Sequence, residues 1–166
     1  MDRRYLLMLI IIIICCINLS IIVNNSDIVG SASASVENYL FSVPEGFSLY
    51  ETNGDSTVIQ NKNNNIDIRV ETNLNNRDNY YERLNYIENE TNNTILSEGT
   101  VSIDNITVYS VYYKTNDDIN KSAFYFEKDN RQFKILVSNF NYDDRELTLD
   151  YVTYIIKSIK YNNKMG

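Results

Sequence analysis

The sequence predicts an α+β fold: an N-terminal transmembrane helix followed by a mostly antiparallel sheet with two packed helices. Three observations carry that expectation. Residues 5–26 form one uncharged, largely apolar stretch; much of the remainder alternates apolar and polar residues with period two; and two segments, 77–90 and 143–159, space their apolar residues as a helix does. With 166 residues, 43% of them hydrophobic, the chain can build one core plus a short appendage. The expected division is a cytoplasmic tip and anchor over 1–27, a linker over 28–37, an extracytoplasmic domain over 38–162 and a tail over 163–166.

The apolar stretch contains Tyr5, Leu6, Ile10, Ile14 and Ile22, and its ~20 residues at ~1.5 Å each match a hydrocarbon core of ~30 Å. Arg3 and Arg4 precede it, and the first charge after it is Asp27. The positive-inside bias then holds the N-terminus in the cytoplasm and sends the domain outward, giving a single-pass protein of the cell membrane. Ala32-Ser33-Ala34 supplies the alternative, because small-x-small is the pattern of a leader-peptidase site and the product would be a secreted protein cleaved after Ala34. The two cysteines, Cys15 and Cys16, both lie in this stretch, and Ile14 before Cys15 does not fit a lipoprotein signal. The rest of the chain therefore has no thiol and no disulfide.

Within the domain, strands are expected at 40–43, 47–52, 56–60 and 66–70. Pro44-Glu45-Gly46 turns the chain between the first two, and Asn53-Gly54 is a hairpin signal between the second and third. A helix over 77–90 follows, with Asn76 as N-cap and Tyr80, Leu84 and Ile87 on its inner face. Further strands are expected at 94–101, 106–114, 122–128 and 132–138, with Asp129-Asn130 as a tight turn before the last. The closing helix has Asp143 as N-cap, Glu146 three residues on, and Tyr142 placed to staple onto Leu147. Leu149, Val152, Ile155, Ile156 and Ile159 form its inner stripe, which leaves Thr148 outside, and Lys157, Lys160 and Lys164 follow at its negative end.

Residue types that are missing exclude several chemistries. With no His there is no Ser-His-Asp triad, no Cys-His pair and no imidazole ligand for a metal. Residues 1–34 hold two basic and two acidic groups, so the net charge of −7 belongs to the domain, which opposes nucleic-acid binding. Asn-rich runs such as 61–65 read as a compositional bias. Beyond the leader, four sequons, at Asn89, Asn92, Asn105 and Asn120, are glycosylation acceptors if the domain is exported.

Phe41-Ser-Val-Pro44-Glu-Gly46-Phe47 entering the first hairpin, a mid-chain helix, the aromatic hairpin Phe124-Tyr-Phe126 to Phe133-Lys-Ile135, and a terminal helix ending Ile155-Ile-Lys-Ser158-Ile159 resemble the PsbP-like domains. Those share an α/β/α sandwich with DcrB-like lipoproteins and a Ran-binding nuclear import factor. The resemblance covers about 39–161. It implies a non-enzymatic, exported or membrane-tethered accessory of binding or assembly, with envelope proteins as partners. It carries over no catalytic residue, and the metal-binding His of photosynthetic members has no counterpart here.

Among candidate chemistries, the adjacent carboxylates Asp117-Asp118 and Asp143-Asp144 are the pairs a carboxylate-dependent envelope hydrolase would use. Asn139-x-Asn141-x-Asp143 has the alternating oxygen ligands of a calcium loop, yet Asp144 stands where such a loop needs Gly and Tyr151 where it needs Glu. Tyr109, Tyr112, Tyr113 and Tyr125 could stack on sugars, but Tyr112 and Tyr113 are strand neighbours and face opposite ways. No residue calls for a cofactor. The expectation is an anchored, non-enzymatic binding or assembly module.

Overall fold

The computed structural model describes residues 32–72, 87 and 92–163. Ten strands and one α-helix follow in order: β1 (Ala32–Val36), β2 (Tyr39–Val43), β3 (Ser48–Asn53), β4 (Ser56–Asn61), β5 (Ile66–Thr72), β6 (Thr94–Ile103), β7 (Ile106–Lys114), β8 (Asn120–Lys128), β9 (Arg131–Ser138), α1 (Arg145–Ser158) and β10 (Lys160–Tyr161). A seven-stranded antiparallel sheet runs β3-β4-β5-β9-β8-β7-β6, and a three-stranded one runs β1-β2-β10.

The expected fold class is corrected by this arrangement. The described residues are mostly antiparallel sheet with one helix, α1, and no described helix is long and apolar enough to cross a membrane. The stretch 5–26 lies outside the described residues. So does the segment 77–90 apart from Ile87, which is helical and buried. Residues 32–36, placed in the linker by sequence, form β1. Its small side chains hide a period-two pattern in which Ala34 and Val36 point into the core.

Turn chemistry fixes the hairpins. At Asp129-Asn130 both residues have positive φ, 53° and 58°, the pattern of a type I′ turn whose twist matches the flanking strands. The Asn53-Gly54 hairpin is shifted by one from the I′ reading: Asn53 pairs with Ser56, so Gly54 (φ 53°) and Asp55 form the turn, with Gly in the first central position as type II′ requires. Phe47 N–H donates to Pro44 O (3.1 Å) across Glu45-Gly46, and Gly46 has φ 82° with Asn61 Nδ2 3.1 Å from where a Cβ would stand.

The main core lies between the large sheet on one side and α1 with the small sheet on the other. Phe41, Val36 and Val43 come from the small sheet, Ile59, Ile68, Phe124, Phe133 and Ile135 from the large one, and Val152, Ile155 and Ile156 from α1. Ring edges lock these layers: Tyr39 meets Phe133 at 5.1 Å, and Phe47 meets Tyr151 at 4.9 Å. The expected stripe of α1 is buried at Val152, Ile155, Ile156 and Ile159, with Leu149 partly so, but it also includes Thr148 and Tyr151. A sheet on one side and β2 on the other make a wider trough than a single stripe fills.

The N-terminal end of α1 is satisfied differently from the sequence expectation, while Lys157 stands in the last turn as expected. Asn141, not Asp143, is the side-chain cap: its Oδ1 accepts from Asp143 N–H (3.3 Å) and begins a 3₁₀ turn over Tyr142–Asp144 that leads into the helix. Tyr142 does not staple Leu147, which is exposed. It meets Tyr112 edge-on at 6.1 Å, lies under the Arg145 guanidinium and donates its hydroxyl to Ser97 Oγ (3.2 Å). At the other end, Lys128 Nζ donates to Ile156 O (3.0 Å), bringing a positive charge from β8 to the negative end of the helix. Ser42 N–H donates to Ser158 Oγ (2.9 Å), which pins that end to β2.

Candidate functional site

At one end of the large sheet, the β4–β5 turn, the loop after β9 and the first turns of α1 enclose an open cleft of about 470 Å³. Its polar lining is Asn64, Asn139, Asn141, Asp144 and Thr148; Ile66, Phe140 and Leu147 supply the apolar part. Each wall has a local cause. Asn61 Oδ1 accepts from the backbone of Asn63 (3.1 Å) and Asn64 (3.3 Å), so the run 61–65 is a side-chain-stabilised turn. Asn139 takes φ 65°, its N–H donates to Asn120 O (3.1 Å), and Asn120 Nδ2 donates to Phe140 O (3.1 Å), which lashes the loop after β9 to the start of β8.

The calcium candidates separate. Asn139 and Asn141 line the cleft, whereas Asp143 is exposed and is not part of the lining. Asn139 donates through Nδ2 to Asp67 Oδ2 (3.2 Å), and Asn141 Oδ1 is engaged as the cap, so these side chains already build the loop. Among the described residues no group of three Asp or Glu is close enough to hold an ion. The acidic pairs do not converge either. Asp118 closes the β7–β8 turn through Thr115 O (3.0 Å) and pairs with Lys114 (2.6 Å), and Asp144 is the one carboxylate among the described residues that line the cleft.

The four tyrosines fall on two faces. Tyr113 and Tyr125 are buried with Val111, Ala123 and Ile87, with Tyr109 packed beside them, while Tyr112 faces the main core against Phe124 and Phe140. Burial pushes the Tyr113 phenol up to about 12. Tyr112 is also raised to about 12, by burial first and by Tyr142 second, against the lowering effect of Arg145. No sugar-stacking platform results, since these rings are spent on packing.

Of the sequons, Asn92 and Asn105 are exposed at positive φ, and Asn89 lies outside the described residues. Asn120 is committed to Phe140 O, and Ser122 of its sequon is fully buried. Asn64, Ile66 and Thr148 are cleft residues that the sequence reading did not single out. The only signal for Asn64 was the Asn run itself, and Thr148 was masked by its polarity.

No protein-family model and no curated protein matches the sequence. Solved structures do. A cyanobacterial PsbP (CyanoP) from Synechocystis sp. PCC 6803 is 12% identical with a TM-score of 0.51, covering 78% of this chain and 90% of that one. A protein from Bacteroides thetaiotaomicron is 10% identical with a TM-score of 0.54, covering 83% of this chain and 51% of that one. At such identities the likeness concerns backbone architecture. The large antiparallel sheet, with the small sheet and the terminal helix packed together against it, makes this a PsbP-like fold.

Proposed function

We propose that the chain is a non-enzymatic binding or assembly accessory that acts outside the cytoplasm and uses the cleft to hold an extended segment of a partner protein. The observation that carries this reading is the composition of the cleft: three amide side chains, a hydroxyl and one carboxylate around Ile66, Phe140 and Leu147. Amides both donate and accept, which suits peptide backbone, and an exposed Leu147 beside them offers an apolar contact. Asp144 in the lining, with Asp143 and Glu146 exposed nearby, favours a neutral or basic segment. A hydrolase would need a second carboxylate facing Asp144, and the described residues that line the cleft include none. Export is supported by Arg3 and Arg4 ahead of an uncharged stretch whose other flank begins with Asp27.

The test places a photo-crosslinking residue at position 147 and, as a control, at position 50, exposed on edge strand β3 and outside the cleft lining, in the full chain in its own cells. Discrete protein adducts at 147 and none at 50 support the reading. Adducts at 50 alone, or a turnover abolished by Asp144→Asn, overturn it. Protease added to intact cells should degrade the domain, and full protection would reverse the side of the membrane.

A further inference from the structure

We infer that β1 belongs to the mature domain, so that Ala32-Ser33-Ala34 is a strand and any removal of the leader cuts on the N-terminal side of Ala32. This holds whatever the cleft binds. Hydrolysis of the Ala34–Ser35 amide by water would leave an Ala34 carboxylate on the released leader and a Ser35 ammonium on the domain. The new charge would sit on half-buried Ser35, at the edge of the core. Ser35 O accepts the hydroxyl of Thr57, a residue with no exposed surface, and the next residue, Val36, is also fully buried.

The cut would also remove what aligns the strand. β1 pairs with β2 from Ala32↔Val43 to Val36↔Tyr39, and three of its five residues would leave with the leader. Ala34, 5% exposed, sits in the main core with Val36, Tyr39 and Phe41. The remnant is the part that joins the two sheets: Glu37 N–H donates to Gly54 O (2.9 Å) and Glu37 Oε2 pairs with Arg131 (2.9 Å). A strand shortened to Ser35 and Val36 would have to hold those links beside a charged terminus.

The experiment measures the intact mass and N-terminal sequence of the full chain recovered from cells that export it, alongside Ala32→Tyr. Position 32 is exposed, so tyrosine is tolerated on the strand while it abolishes the small residue that a cut after Ala34 requires. The expected result is a recovered protein that begins at or before residue 32, with the same N-terminal boundary and the same melting temperature in the variant. A wild-type protein beginning at Ser35, or accumulation of uncut precursor in Ala32→Tyr alone, would overturn the inference. Val36→Asp, which leaves the small-x-small pattern intact, should instead lower the melting temperature sharply without moving the N-terminus. An unchanged melting temperature there would also count against β1 as a core strand.

Discussion

The two faces of the seven-stranded sheet are made by alternate residues of the same strands, yet they are filled differently. Toward α1, β5, β8 and β9 present Ile68, Val70, Phe124, Phe126, Phe133, Ile135 and Val137, all buried, with Phe126 stacked on Phe133 at 5.3 Å. On the opposite face the same strands present Arg69, Glu71 and Lys134, with Glu71 bridging Arg69 (3.8 Å) and Lys134. Among the described residues, the buried apolar cluster there is smaller: Val111, Tyr113, Ala123 and Tyr125 with Ile87, and Ile95, Tyr109 and Leu136 packed beside them. Alternation places a side chain on a face, and side-chain size and charge then decide how much of that face is dry.

The sharpest way to break this contrast is Ile156→Asp, which puts an unpaired carboxylate in the main core and should cost about 3–5 kcal/mol in urea unfolding. A loss no larger than that of a surface change would mean that α1 is rotated from the orientation described. Next comes Thr148→Asp. The sequence stripe makes it silent, but Thr148 is 1% exposed and its hydroxyl donates to Asp144 O (3.4 Å), so a loss of about 2 kcal/mol is expected.

Alkaline titration compares the faces directly, because Tyr112 and Tyr113 are neighbours on opposite sides and both are raised to about 12. The unfolded chain ionises each phenol near ~10 while the folded chain keeps its proton, so their contribution is fully present below pH ~10 and is lost as pH rises toward 12. Melting temperature against pH should fall less steeply in Tyr113→Phe than in the wild type, and an unchanged slope would show that the second face is wet. Smallest of all is Leu147→Asp, at an exposed position, which should stay within about 0.5 kcal/mol of the wild type in urea unfolding.

Strand positions were legible because period two and turn residues are local: Asp129-Asn130 and Pro44-Glu45-Gly46 turn where their chemistry says they should. What was not legible depends on partners distant in sequence. β1 carries too little apolar surface to announce itself, and β10 has two residues, held by Leu40 and Tyr39. The helix N-cap failed for a related reason. Asp143 fits the capping pattern, but a 3₁₀ turn moves the start of α1 and hands the role to Asn141, while at the far end Lys128 from β8 joins the expected Lys157. The cleft was half visible, through Asn139 and Asn141, because an Asn run looks the same whether it is compositional or a turn.

The pairing of β10 with β2 has a consequence for the order of events during synthesis. Tyr39 and Leu40 are made early, but their partners Tyr161 and Lys160 come after α1, so β2 waits with one open edge until nearly the whole chain has emerged. Loop closure over that separation is slow compared with the neighbouring hairpins. A chain held unfinished in this way stays unlocked, and its small sheet closes only when the final strand arrives.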